Sequence, residues 1–193
     1  MLLGLTNGLG GVNAVLLTLG RWLGASCVAL MVVLILAQVF FRYVLGNALP
    51  WPEEASRFLM LWMTGLMAPT ALRRGGFVSI EMLVRLLPRR ASALVSLVLL
   101  ALSLLVLVVG FKIGWSEVTG LGGRFTTDSL SVPALDFSGW VKVPKSWMMA
   151  SLVTGLGLMI LVLIELILRS VVTLAGADEA LKLIPETAVG GTE

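Results

Sequence analysis

Ionic side chains that could do chemistry occur in three groups, each at the end of an apolar run. Glu53, Glu54 and Arg57 follow Pro50 and Pro52. Their i,i+4 and i,i+3 spacings put acid and base on one helix face, and acids in a first turn suit the helix dipole. Glu165 and Arg169 repeat the i,i+4 spacing at the end of a later run. The third group is arginine-rich: Arg73, Arg74, Arg85, Arg89 and Arg90, with Glu81 among them. A carboxylate inside a membrane span is a candidate ion or proton site. A self-sufficient, proton-coupled small antiporter would therefore use Glu54 or Glu165. Such a group belongs near mid-span, and no apolar core here has one. Beside Arg169 and within a turn of a span's end, Glu165 reads as a snorkelling, paired charge. Asp128 with Asp136 is too loosely spaced to specify a metal.

Other chemistry is excluded by what the chain lacks. It has no histidine, which removes bis-histidine haem, histidine-ligated zinc or iron, and any Ser-His or Cys-His pair. The single Cys27 allows no intrachain disulfide. The chain reads as no enzyme, with no cofactor and no metal.

The elements that hold these groups are apolar. Hydrophobic residues make up 58% of the 193, charged residues 13%, and mean hydropathy is +1.02. A soluble domain carries about 25% charged residues. The class is an all-α integral membrane protein with room for about four or five spans. The net charge of +3 has no aromatic-laced basic face behind it, so nucleic acid is not a partner.

Spans are bracketed by charges. Trp22 to Phe41 lies between Arg21 and Arg42, with Tyr43 at belt position. The second span is Pro52 to Leu72. Its uncharged part, Phe58 to Leu72, covers only roughly 22 Å of a hydrocarbon core of about 30 Å. The charged first turn must then lie at or just below the membrane surface, against protein. The third span is Ala91 to Phe111 and the fourth Trp147 to Leu168. Residues 77–87 are apolar with a stripe of Glu81, Arg85 and Arg89. That pattern predicts an interfacial helix with Arg85, Arg89 and Arg90 at lipid headgroups. Residues 1–20, broken by Asn7, Gly10, Gly11 and Asn13, read as a short amphipathic helix or loose lead-in at the interface. Gly114 to Lys145 reads as an irregular external loop with short helical pieces. A four-helix transmembrane domain thus occupies 21–169, followed by a partly disordered tail, 170–193. With the amino terminus inside, cytoplasmic segments hold eight basic residues against six, five of them in the short loop 73–90. The positive-inside rule places both termini in the cytoplasm.

The run from Phe41 resembles the small membrane subunit of tripartite ATP-independent periplasmic (TRAP) transporters. The matching residues are Phe41-Arg42-Tyr43, Trp51 through Phe58 (WPEEASRF), Trp62, Arg73-Arg74 with Gly76, and Phe77 to Glu81 (FVSIE) leading to Leu87-Pro88. Weaker echoes are Ser131-Val-Pro and Pro144. Phe77 stands where the family often has histidine, and Glu81 where aspartate is commoner. The resemblance implies an accessory scaffold subunit in the bacterial inner membrane. Its partners would be a large permease subunit, which moves the solute on a sodium gradient, and a periplasmic substrate-binding protein. The solute would be an organic acid. Arg42, Tyr43, Trp51, Glu53, Glu54, Arg57, Arg73 and Arg74 would then be structural or partner-facing residues. The bottom-up reading agrees, because the chain has no broken helix pair or inverted repeat of the kind that builds a mid-membrane solute site.

Overall fold

The computed structural model of the chain describes residues 2–47, 49–74, 89–133 and 140–174. The expected interfacial helix at 77–87, with Arg85, and the tail beyond Leu174 lie outside the described residues. Helix α1 runs Leu2–Tyr43 without interruption. Residues 2–20 therefore continue the helix of the first span. At about 1.5 Å per residue its 42 residues measure roughly 63 Å, twice a hydrocarbon core.

The reason lies in the spacing of small and polar residues along α1. Thr6, Gly10, Asn13, Leu17, Gly20 and Gly24 are buried, at alternating intervals of four and three. This is a packing seam in which small residues let backbones approach and polar ones bond across helices. Large apolar residues such as Val12, Val15 and Leu19 point outward. The residues that look like breaks in an apolar run are the ones that face the bundle.

A turn closes α1, with Asn47 N–H donating to Phe41 O and Gly46 at φ +65°, which favours glycine. Helix α2 follows, Trp51–Arg73, with Pro52 in its first turn and Pro69 inside. Helix α3 spans Arg89–Thr119 and runs past the expected end at Phe111. After the single turn of α4, Leu121–Arg124, the region expected as an irregular loop forms an antiparallel ribbon. Its strands are β1, Thr126–Pro133, and β2, Trp140–Pro144. Ladder bonding explains the difference, aided by Thr127, whose hydroxyl donates to Val143 O at 2.8 Å. Helix α5, Lys145–Leu174, completes the described chain.

The long helices pack in the order α1, α2, α5, α3, and α1 also touches α5. Gly20 lies against Leu66 and Gly10 against the Arg73 side chain, so α1 and α2 run antiparallel. Gly65 meets Ser151 and Gly155, while Arg73 meets Glu165, so α2 and α5 run parallel. Gly110 and Gly114 rest on Leu156 and Val153, so α3 and α5 are antiparallel. The closest crossing is α2 on α5. A Cβ on Gly65 would stand 2.3 Å from Ser151 O, and one on Gly155 2.7 Å from Gly65 O.

Among the described residues, three helices are long and apolar enough to cross a membrane: α1 over Thr6–Tyr43, α3 over Leu94–Thr119 and α5 over Lys145–Val172. Helix α2 is not among them, since Glu53, Glu54 and Arg57 occupy its start. It nevertheless sits between α1 and α5.

Candidate functional site

Six charged residues, Glu53, Glu54, Arg57, Arg73, Glu165 and Arg169, gather at the two ends of α2. At its carboxyl end three helices meet on Glu165, which is 0% exposed. Arg73 Nη2 donates to Glu165 Oε1 at 2.8 Å and to Gly10 O at 2.9 Å. Arg169 adds Nη2 at 3.0 Å and Nε at 3.1 Å to the same oxygen. Asn13 Nδ2 donates to Glu165 Oε2 at 2.7 Å and to Leu161 O at 3.3 Å. The absence of a side chain at Gly10 makes this possible. A Cβ there would lie 3.0 Å from Glu165 Oε1 and 3.1 Å from Arg169 Nη2. One carboxylate thus ties α1, α2 and α5 together.

The i,i+4 partner Arg169 was legible in the sequence. Arg73 and Asn13, 92 and 152 residues away in the chain, were not. Chemically the arrangement holds charge in place. A proton-carrying carboxylate must lose and regain its proton along a path, whereas this one is committed to two guanidinium groups and an amide.

At the amino end of α2, Glu54 reaches the ribbon. Its Oε2 accepts from Ser129 N at 2.8 Å, Leu130 N at 2.9 Å and the Ser129 hydroxyl. The ribbon register shifts between Thr126 and Ser131, which turns these donors out of the ladder and towards the carboxylate. Glu54 therefore seats the ribbon on the helix. The other carboxylate that the antiporter reading could use is thus also a structural acceptor.

Glu53 and Arg57 form the expected i,i+4 pair, but their side chains are 62% and 72% exposed. Such a pair contributes only about 0.2–1 kcal/mol. Trp51, Tyr43 and Arg42 are also exposed, and the Arg42 guanidinium lies 5.8 Å from the Tyr43 ring centre. Arg74 caps α2 and is exposed. Arg89 and Arg90 open α3; their side chains, like that of Arg85, are outside the described residues. The eight residues expected to be structural or partner-facing thus separate. Arg73 and Glu54 are consumed inside the molecule, and Arg42, Tyr43, Trp51, Glu53, Arg57 and Arg74 remain on its surface. Among the described residues no cluster of histidine, cysteine or carboxylates could hold a metal.

Long apolar helices joined by small-residue crossings, with ionic groups gathered at helix ends, define a multi-pass helical membrane protein. Residues 31–173 match the DctQ component of tripartite ATP-independent periplasmic transporters, and the chain belongs to that family of small TRAP permease subunits. It is similar to the C4-dicarboxylate TRAP transporter small permease protein DctQ of Vibrio cholerae serotype O1, with 26% identity over 141 residues. That match covers 67% of this chain and 61% of the relative. A Haemophilus influenzae protein named "Putative TRAP transporter small permease protein" is 33% identical over 73 residues, 38% of this chain and 45% of that protein. The chain therefore spans about three fifths and under one half of the two relatives' lengths.

Proposed function

We propose that this subunit is a static scaffold that braces the large permease of a TRAP transporter during sodium-driven uptake of a solute delivered by a periplasmic binding protein. The single observation that carries the reading is the Glu165 network. The one buried carboxylate among the described residues is spent on joining three helices, as a brace requires and a transport site does not. The Vibrio cholerae relative is named for C4-dicarboxylates, which supports an organic acid as the solute class.

In this proposal α2 also crosses the membrane, as the second of four spans. It is flanked by α1 and α5, and Glu54 and Arg73 lie 19 residues apart, roughly 28 Å and close to one hydrocarbon thickness. The arginine-rich end faces the cytoplasm of a bacterial inner-membrane protein, with both termini on that side. The exposed Glu53–Arg57 pair, with Trp51, Tyr43 and Arg42, forms a contact with the large subunit at the other end.

Two measurements test the scaffold role. The subunit alone in liposomes should carry no organic-acid flux, and flux should appear when the large subunit, the periplasmic binding protein and a sodium gradient are supplied. Arg57→Ala should reduce recovery of the large subunit on affinity purification. Robust flux by the small subunit alone would overturn the scaffold reading.

A further inference from the structure

At the arginine-rich end of the bundle the described residues bring arginines to a single buried carboxylate. Among the described residues, Arg73, Arg74 and Arg169 gather there against Glu165. Glu165 is already saturated, with three N–H donors on Oε1 and the Asn13 amide on Oε2. Arg73 is 8% exposed, and its Nε has no acceptor among the described residues. A buried guanidinium with an unmet donor is costly, and an anion is the group that satisfies it. Arg74, the next residue, is exposed where an incoming anion can reach it. The Arg169 side chain keeps 14% of its surface exposed at the same level.

We propose that this end holds the phosphate of an anionic phospholipid, with Arg74 as its outer contact and the Arg73–Arg169 pair as its inner one. Two features select a lipid over a free phosphate. Arg74 lies about 30 Å along α2 from Glu54, which is the depth of the opposite headgroup layer. Val12 and Ile164, the chain neighbours of Asn13 and Glu165, and Val15, one position further along α1 than Ala14, are exposed and apolar, a surface suited to acyl chains. The site rests on charge and on α2 crossing the membrane as proposed above, and it stands whether or not the subunit acts as a scaffold.

Native mass spectrometry of the full chain, offered equimolar phosphatidylglycerol and phosphatidylcholine, tests this. Phosphatidylglycerol should be retained preferentially, and millimolar inorganic phosphate should not displace it. One surface arginine contributes about 1 kcal/mol to anionic lipid attraction, so Arg74→Gln should lower retention about fivefold. Arg74→Lys should keep most of it, and Lys142→Gln, on the ribbon, should change nothing. Equal retention of the two lipids, or unchanged retention in Arg74→Gln, overturns the proposal. Full displacement by inorganic phosphate would make the ligand a free anion and overturn the lipid assignment.

Discussion

Glu165 shows how one side chain can set the order of a bundle. Removing one partner of a buried ion pair leaves an uncompensated charge and costs about 3–5 kcal/mol. Glu165→Ala should therefore lower the thermal midpoint of the detergent-solubilised protein sharply, since two arginines lose their acceptor. Asn13→Ala loses one bond to a carboxylate that keeps its arginines, and should cost about 1 kcal/mol. The ordering of these two losses is the test; equal effects would mean that the pair does not hold the helices. By contrast Glu53→Gln, at an exposed pair, should leave the midpoint almost unchanged.

At the scale of elements, glycines decide where helices cross. Gly65→Ala puts a methyl group into the Ser151 carbonyl, and Gly155→Ala one into the backbone of Gly65. Both should separate α2 from α5 and destabilise the protein by about 1–3 kcal/mol. Gly11→Ala, with nothing within 4 Å, should be neutral or slightly stabilising through helix propensity. Thermal midpoints of the three variants separate crossing from composition. Glu54 is the carboxylate that seats the ribbon on α2, so Glu54→Gln should loosen that contact. Limited trypsin digestion should then cut faster at Arg124 and Lys142, both of which are exposed.

For the whole molecule, orientation is the property that function needs. With Cys27 replaced by serine, Lys142→Cys should react with a membrane-impermeant thiol reagent added to sealed cells, and Gly76→Cys should not. The reverse pattern would turn the bundle over and move the arginine-rich end outside.

Much of this was legible in one dimension. Apolar runs bounded by Arg21, Arg42, Lys112 and Arg169 are local features, and hydrocarbon thickness converts their lengths directly into membrane helices. The family likeness was carried by Phe41 to Pro88 and holds across residues 31–173. The pairing of Glu165 with Arg169 followed from helical geometry alone. Three-dimensional packing decided the rest. Residues 2–20 looked like a broken lead-in because Gly10 and Asn13 are poor lipid-facing residues. They belong to the helix because α2 and α5 face Gly10 and Asn13. The contact between Arg73 and Glu165, 92 residues apart, depends on α2 and α5 lying parallel and touching at Gly65. No spacing rule reaches that far, because periodicity reports which face a residue occupies and only packing settles what lies opposite.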